Sequence, residues 1–115
     1  MDASFVDAKA KHRITFGVLT LDKQQQAARL GDNAVELTRK EFALLWILAS
    51  EPGRAFHRRE LLNEVWGADR RVGARTIDAH LTKVRRKLEK SQPRTVRIET
   101  IWGFGYRLRD GIDSR

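Results

Sequence analysis

The chain has 115 residues, 41% of them hydrophobic, and a formal net charge of +8, which suits one domain with a single modest core. The absence of cysteine excludes disulfide bonds, thiolate catalysis and cysteine-ligated zinc. The longest apolar run, residues 42–49, is far shorter than a membrane span, and the chain begins without a charged and then apolar leader, so we expect a cytoplasmic protein with no membrane partner.

The first third of the chain predicts a lead-in followed by a small sheet. Residues 1–11 show no clear period, and we expect them to be a flexible lead-in or linker. The following residues form short runs with patchy alternation of apolar and polar side chains, separated by turn-forming residues such as Gly17 and Gly31. They predict four antiparallel strands, at Arg13 to Phe16, Val18 to Leu21, Gln26 to Leu30 and Asn33 to Leu37.

A helix is predicted to begin after Thr38. The sequence TRKE, from Thr38 to Glu41, has the form of a capping box, in which the threonine hydroxyl and the glutamate carboxylate accept hydrogen bonds from backbone N–H groups at the helix start. The helix continues through an almost wholly apolar run to Ala49 and ends before Pro52. It should be the central, buried helix of the domain.

A second helix follows a short extended link. The segment FHRRELLNEVWG places apolar side chains at helical spacing, and Gly67 is a natural end for the helix. A loop from Ala68 to Gly73 then leads to a third helix, which makes a variant helix-turn-helix with a longer connection than the simplest form. The residues expected to face inward on the second helix are Leu61, Leu62, Val65 and Trp66.

The third helix, ARTIDAHLTKVRRKLEK from Ala74 to Lys90, is apolar on one side and cationic on the other. Its apolar residues recur at helical spacing and form one narrow stripe. On the opposite face, long cationic side chains flank a small residue and a hydroxyl, so this face can approach a polyanion closely and donate hydrogen bonds to it. The stripe is formed by Ile77, Leu81, Val84 and Leu88, and the opposite face by Arg75, Ala79, Thr82, Lys83 and Arg86.

The positive charge of the chain is concentrated around this helix. Residues 70–97 contain ten Lys or Arg side chains and two Asp or Glu side chains, a net charge equal to that of the whole chain. A basic run by itself is most often a solvated surface. Because this one is confined to a single amphipathic helix and its flanks, it favours a surface that binds nucleic acid, and DNA in particular.

The last elements predict a hairpin. Pro93 ends the third helix, and the segment from Thr95 to Leu108 indicates two strands joined by a turn at Gly103 and Gly105, both of which can adopt positive φ. A hairpin directly behind such a helix is a wing, so the expected fold class is α+β, a winged helix-turn-helix. We expect residues 111–115 to be frayed. The hairpin side chains expected to face inward are Val96, Ile98, Tyr106 and Leu108.

Four motifs in this order resemble the winged-helix DNA-binding domain of the OmpR/PhoB family of two-component response regulators. They are LTRKEFALLWIL, RRELLNEVWG, RTIDAHLTKVRRKL and ETIWGFGYRL, and the resemblance covers about Arg13 to Arg109. It implies an amino-terminal four-stranded sheet, a three-helix core and a carboxy-terminal hairpin, with the domain spanning residues 12–110. It also implies a transcriptional regulator in a phosphorelay, with a phosphoacceptor receiver domain upstream in the full-length protein.

By the same resemblance, residues 75–89 correspond to the family's major-groove helix and residues 95–109 to its wing. In these roles Lys83 or Arg86 would donate to guanine O6 and N7, and Asp78 would accept from a cytosine amine. The residues expected to contact double-stranded promoter DNA are Arg75, Thr76, Asp78, His80, Thr82, Lys83, Arg86, Lys87, Arg97, Thr100, Trp102 and Gly105.

Two positions depart from the family pattern. Many relatives have an arginine at the hairpin tip that can enter the minor groove, whereas this chain has Trp102, which lacks the charge that favours a narrow groove and leaves Arg97 and Arg107 as the nearby cations. We expect Trp102 to pack, stack or contact a neighbouring molecule instead. His57 stands where relatives often have a better helix cap such as serine.

The resemblance also implies partners. The loop that contains Asp69, Arg70 and Arg71 lies where some family members contact RNA polymerase, although such charges also serve for phosphate contact or simple solvation. Phosphorylation of an upstream receiver would favour a homodimer on DNA, with two copies of this domain bound to direct-repeat half-sites about one helical turn apart. The isolated domain would then be monomeric or a weak binder.

Two other classes of function stay open on the residues alone. A winged helix can bind protein or RNA through a basic face, but Phe42, Trp46 and Trp66 are better explained as core than as a platform on which bases stack. An enzyme is weakly supported, because the sequence has no catalytic triad order, glycine-rich phosphate loop or metal-ligand spacing. We therefore predict no catalytic residue, no metal site and no cofactor.

Overall fold

Four short antiparallel strands form the first sheet of this computed structural model, which describes residues 12–67 and 71–111. The strands lie in the sheet in chain order, each paired with the next. The predicted amino-terminal sheet is therefore confirmed, while the expected lead-in at residues 1–11 and residues 112–115 of the expected frayed tail lie outside the described residues. The strands are β1 (Arg13–Phe16), β2 (Leu19–Asp22), β3 (Ala27–Leu30) and β4 (Asn33–Val35).

Four strand ends differ from the prediction by one or two residues, because β2 begins at Leu19 and ends at Asp22, β3 begins at Ala27, and β4 ends at Val35. Val18, expected to start the second strand, is 43% exposed and lies in the turn after Gly17, whose positive φ of 62° helps to reverse the chain. The fourth strand ends at Val35 rather than Leu37, because the chain then turns to place Thr38 at the start of a helix. The differences are small, and the apolar face of the sheet is buried through Ile14, Leu19, Leu21, Ala28 and Leu30.

Helix α1 (Arg39–Ser50) begins with the predicted capping box. The Glu41 backbone N–H donates to Thr38 Oγ1 at 3.2 Å, and the Thr38 backbone N–H donates to Glu41 Oε1 at 2.9 Å. Most of its apolar side chains lie in the core, as expected for the central helix. The buried apolar residues of α1 are Phe42, Leu44, Leu45, Leu48 and Ala49.

Strand β5 (Phe56–His57) and helix α2 (Arg58–Trp66) follow, and their junction corrects one expectation. His57, expected to be a poor helix cap, accepts a hydrogen bond on Nδ1 from the Arg59 backbone N–H at 3.1 Å. The Glu60 carboxylate accepts in turn from the His57 backbone N–H at 3.3 Å. An imidazole with an unprotonated Nδ1 therefore replaces the hydroxyl of a usual cap.

A three-stranded sheet replaces the two-stranded hairpin of the prediction. Strands β6 (Val96–Ile101) and β7 (Gly105–Asp110) form the hairpin, and β5 pairs with the other side of β7. The two residues of β5 are too few to show alternation, so the sequence predicts only an extended link there. Gly105 permits the pairing, because a Cβ on it would lie 1.9 Å from the Phe56 carbonyl oxygen. The predicted inward residues Val96, Ile98, Tyr106 and Leu108 are all buried.

Helix α3 (Arg75–Ser91) packs against α1 and β6 and completes the core. Trp46 and Trp66, expected in the core, are only partly buried and pack against its edge. Among the helices of the described ranges, none has the length and apolar character needed to cross a membrane. The apolar stripe of α3, called here the seam, has at most 1% exposure at each residue and consists of Ile77, Leu81, Val84 and Leu88.

One carboxylate is buried beside α3. Glu41 is 2% exposed, and its Oε1 accepts from Lys87 Nζ at 2.7 Å as well as from the Thr38 backbone N–H. Burial raises the pKa of this carboxyl, but the hydrogen bonds from Lys87 and Thr38 outweigh burial and hold the pKa below its usual value. The pair joins the start of α1 to the carboxy-terminal half of α3.

Replacing Glu41 with glutamine should lower the free energy of unfolding at neutral pH by about 1–3 kcal/mol, since a buried charge-assisted hydrogen bond is lost. Because the folded-state pKa lies below the usual value of 4.5, the carboxylate stabilises the fold above that pH, and this contribution is lost as the pH falls through the folded pKa. The E41Q variant should therefore lose less stability on acidification than the wild type. Urea unfolding at neutral and acidic pH measures both effects.

Glu36→Gln is the matched control, because Glu36 is exposed and lies shortly before the same helix. Its free energy of unfolding should stay within about 0.5 kcal/mol of the wild type, as for most surface substitutions. An E41Q protein as stable as the wild type at neutral pH would contradict the role given to the buried pair.

Candidate nucleic-acid interface

The outward side of α3 is an open cationic surface. Residues predicted to oppose the seam are all exposed, and together with Asp78 they line a shallow groove along the helix. Because the seam is buried, the helical period directs these side chains away from the core. They are called here the α3 row and consist of Arg75, Ala79, Thr82, Lys83 and Arg86.

The α3 row combines long side chains that donate hydrogen bonds with a small side chain between them. Arg75, Lys83 and Arg86 carry positive charges on long side chains, while Ala79 leaves space between them. Thr82 adds a hydroxyl that can both donate and accept a hydrogen bond. Such a surface can place several donors against an anionic groove without a bulky side chain that would hold the helix away.

Asp78 joins three elements of the fold. Its Oδ2 accepts from Arg58 Nη2 at 2.6 Å, and its Oδ1 accepts from the Tyr106 hydroxyl at 2.6 Å, so this α3 carboxylate holds α2 and β7. We call these three residues the clamp. Spacing along the chain does not reveal it, because the partners lie 20 and 28 residues from Asp78. A cytosine amine would have to share oxygens that already accept two short hydrogen bonds.

The clamp changes the chemistry of Tyr106. Burial, followed by the hydrogen bond to the Asp78 carboxylate and the negative charge of that group, raises the pKa of Tyr106 from 10.0 to about 12. The hydroxyl therefore stays protonated at neutral pH and donates to Asp78.

Arg85 ties α3 to the hairpin. Its Nε donates to the Ile98 carbonyl at 3.1 Å, and its Nη2 donates to the Thr100 hydroxyl at 2.9 Å. The guanidinium also lies 6.0 Å from the centre of the Tyr106 ring. The sequence holds one signal for this role, since a helical projection places Arg85 beside the seam rather than opposite to it. The sequence prediction included neither Arg85 nor Arg58 among the functional residues.

Two residues expected to contact DNA are turned toward the protein. His80 Nδ1 donates to the Thr76 carbonyl at 2.8 Å, and its ring packs edge-on against Trp66 with 5.0 Å between ring centres. Lys87 is held by Glu41 through the buried hydrogen bond. Both side chains are partly buried, so they lie beside the α3 row rather than within it.

Three more of the expected contact residues are covered by the fold. Thr76 is partly buried, Thr100 accepts its hydrogen bond from Arg85, and Gly105 is buried where β7 pairs with β5. These positions support the hairpin and the start of α3. The exposed part of the candidate interface is therefore narrower than the sequence indicates.

The hairpin carries the remaining expected contacts. Trp102 is 90% exposed in the turn between β6 and β7, and Arg97 is exposed on β6. Arg107, expected near the tip, donates to Glu99 Oε1 on the neighbouring strand at 2.6 Å, so its charge is offset by an acid. An exposed apolar tip thus lies beside a cationic helix.

The loop before α3 is described only in part. Arg71 is exposed, whereas Asp69 and Arg70 lie outside the described residues. Within the described ranges, no three His, Cys, Asp or Glu side chains come together in a way that could hold a metal ion.

A family model described as "Transcriptional regulatory protein, C terminal" matches residues 32–108. The response regulator SaeR of Staphylococcus aureus is 38% identical over 96 residues, which make up 84% of this chain and 42% of SaeR. The chain therefore spans about two-fifths of the length of that curated relative.

Solved structures share the fold. DrrB of Thermotoga maritima, a response regulator described as an OmpR/PhoB homologue, matches 90% of this chain and 46% of its own length, with a TM-score of 0.73 and 31% identity. The DNA-binding domain of the response regulator AdeR, solved in complex with an intercistronic region, matches 84% of this chain and 98% of its own length, with a TM-score of 0.75 and 26% identity. The predicted winged-helix architecture is confirmed.

The chain has a single tyrosine, so ultraviolet absorbance follows the ionisation of Tyr106 alone. The folded protein should show this ionisation at about pH 12, and Asp78→Asn should lower the pKa toward 10.0, because the amide removes the negative charge but keeps the size of the side chain. Since the folded pKa is raised, its contribution to stability is complete below pH 10.0 and is lost as the pH rises through about 12.

Tyr106→Phe is the control for the absorbance signal and should remove the step. Ionisation of the wild-type tyrosine near its ordinary pKa, in protein shown by circular dichroism to be folded, would contradict the clamp.

Proposed function

This chain belongs to the family of carboxy-terminal domains of transcriptional regulatory proteins, and from that membership we propose that α3 binds the major groove of double-stranded promoter DNA in a sequence-specific manner. The family is one of DNA-binding regulators rather than enzymes. The observation that carries the proposal is the α3 row, which is exposed and cationic on a helix whose seam is fully buried.

Base contacts would come from the centre of the α3 row. Lys83 and Arg86 are suited to donate to guanine O6 and N7, and Thr82 can bond to more than one base. The open space at Ala79 lets the helix approach the base edges. Asp78 acts mainly by holding α3 in a fixed position against α2 and β7 through the clamp. The other residues expected to contact DNA support this surface from beside it, namely Thr76, His80, Lys87, Thr100 and Gly105.

Phosphate contacts would supply much of the affinity. Arg75 on α3 and Arg97 on the wing at residues 95–109 are exposed cations that can reach phosphates. If they and their neighbours neutralise about five or six phosphates, the logarithm of the affinity should fall with the logarithm of salt concentration with a slope of about −5. Affinity would then depend on charge, while sequence preference would depend on the centre of the α3 row.

We also propose a setting for this domain within a longer regulator. SaeR and DrrB extend well beyond the length of this chain, which supports a receiver domain upstream. Phosphorylation of that receiver would bring two copies onto direct-repeat half-sites, and the loop with Asp69, Arg70 and Arg71 would contact RNA polymerase. The AdeR DNA-binding domain, solved in complex with an intercistronic region, supports DNA as the ligand. The proposed location is the cytoplasm, where a bacterial promoter is accessible.

Lys83→Ala and Arg86→Ala should each weaken binding to a duplex selected from a random pool by about 1–3 kcal/mol, because each removes a donor to a base edge. The loss on unselected duplex should be smaller, since only phosphate attraction is affected there. Mobility-shift titrations at several salt concentrations measure both affinities and the slope.

Arg29→Ala is the matched control, because it removes the same charge from an exposed position on β3, where Arg29 Nη2 donates only to the Asp32 carbonyl in the described contacts. It should leave the preference for the selected duplex unchanged. If the Lys83→Ala and Arg86→Ala variants lose equal binding free energy on selected and unselected duplex, then Lys83 and Arg86 contact phosphates and not bases. Preference for single-stranded RNA over duplex in direct competition would contradict the proposed function.

A further inference from the structure

His57 is a helix cap whose hydrogen bond depends on the charge of its ring. Its Nδ1 accepts from the Arg59 backbone N–H at 3.1 Å, and a ring nitrogen can accept only while it carries no proton. The other two histidines of the chain lack this dependence. His80 Nδ1 donates to the Thr76 carbonyl, which a charged ring also does, and the exposed side chain of His12 makes no hydrogen bond among the described contacts. Protonation therefore removes a described hydrogen bond at His57 alone.

The start of α2, which His57 caps, is joined to the hairpin and to α3. His57 pairs with Gly105 of β7, and its ring packs edge-on against the Phe104 ring with 5.1 Å between ring centres. Arg58, the first residue of α2, donates from its backbone N–H to the Phe104 carbonyl at 3.2 Å. Its guanidinium donates to Asp78 at 2.6 Å in the clamp. A change at the cap therefore acts at the point where α2 holds both α3 and the hairpin.

The charged groups around the His57 ring do not favour a positive charge there. The nearest acid, Glu60, already accepts from the His57 backbone N–H at 3.3 Å and from the Arg54 guanidinium. The start of a helix also carries a partial positive charge, which opposes a cation at the cap. The hairpin contributes only uncharged groups, namely an aromatic ring and a glycine backbone. The charged groups from α2 and from the loop before β5 are Arg54, Arg58, Arg59 and Glu60.

We propose that His57 is a proton-sensitive cap, and that protonation of its ring releases the start of α2 and weakens the attachment of α3 to α2 and β7. A proton on Nδ1 would point one N–H at the Arg59 N–H, and two donors cannot bond to each other. Because Arg58 follows the cap directly, disorder at the cap reaches the clamp. The consequence for DNA binding rests on the proposed function, whereas the consequence for the free protein does not.

The direction of the effect follows from which form of the ring makes the bond. The cap stabilises the start of α2 while the ring is neutral, and this contribution is lost as the pH falls and the ring takes a proton. Imidazole is the side chain that changes charge between about pH 5 and 8. The contribution of Glu41 is lost only below pH 4.5, and that of Tyr106 only above pH 10.0. The cap can therefore be tested between about pH 5.5 and 8 without interference from these two groups.

The first test compares urea unfolding of the wild type, H57S and H57A across this pH range. A serine hydroxyl caps a helix at any of these pH values, and alanine caps it at none. Between about pH 8 and 5.5 the unfolding equilibrium constant of the wild type should rise about fivefold more than that of H57S, as expected for the loss of one cap. H57A should be less stable than H57S by a factor that does not change with pH.

A matched control and a direct measurement accompany the unfolding series. His12→Ser makes the same change at an exposed histidine outside the helices, so H12S should follow the pH dependence of the wild type. Nitrogen-15 NMR of the wild-type histidine rings should show His57 Nδ1 without a proton at about pH 8. The Arg59 amide proton should shift as the His57 ring takes up its proton, because the hydrogen bond between them is then lost.

The second test measures affinity for a duplex selected from a random pool, with circular dichroism used to show that each protein is folded at each pH. Wild type and H57S share every other titrating group, so the ratio of their affinities isolates the cap. This ratio should fall several-fold from about pH 8 to about pH 5.5, since only the wild type loses its cap.

The outcomes distinguish the cap from the proposed function. If wild type and H57S show the same pH dependence of unfolding, or if His57 Nδ1 is protonated at about pH 8, the proton-sensitive cap is wrong. If unfolding behaves as expected but the affinity ratio is constant with pH, the link from the cap to α3 is wrong. If neither protein binds duplex at any pH while unfolding behaves as expected, the proposed function fails and the cap stands.

Discussion

Burial of one side of α3 is the constraint on which the rest of the structure depends. The seam has at most 1% exposure at any residue. Rotation of α3 about its axis would expose this apolar surface to water, at a free-energy cost of about 25 cal/mol for each Å² exposed. Fixing that rotation also fixes which side chains face outward, and the α3 row follows from it. The pair between Glu41 and Lys87 adds a polar restraint, because a buried carboxylate without its partner is strongly unfavourable. Core packing thus determines which side chains of α3 form the exposed cationic surface.

A second consequence is that α3 and the hairpin of β6 and β7 form one rigid unit. The clamp joins α3 to α2 and β7, and Arg85 joins α3 to β6, so the hairpin cannot move far without breaking hydrogen bonds to α3. Holding α3 and the hairpin in a fixed geometry before binding would reduce the ordering cost of the proposed association with DNA. Several residues that match a DNA-binding family therefore also hold this geometry, and Asp78, which accepts from both Arg58 and Tyr106, is the clearest example.

The sequence predicts what depends on local or periodic patterns. The capping box at Thr38 and Glu41, the seam and the inward residues of the hairpin follow from spacing along the chain, and the structure confirms them. Contacts between distant segments are not encoded in any short pattern, which is why the Arg58 partner of Asp78 and the ion pair of Glu41 with Lys87 were not foreseen. The pairing of β5 was missed for a related reason, since two residues show no period. A motif supplies residue types and positions, but packing decides which of them face the solvent.

Amide chemical-shift mapping of the isotopically labelled domain, titrated with a duplex selected from a random pool, tests the central claim most directly. We expect the largest shifts in residues 75–90 and at the hairpin tip, residues 102–104, with the sheet at residues 13–35 nearly unchanged. Shifts concentrated in that sheet, with α3 unaffected, would contradict the placement of α3 in the major groove.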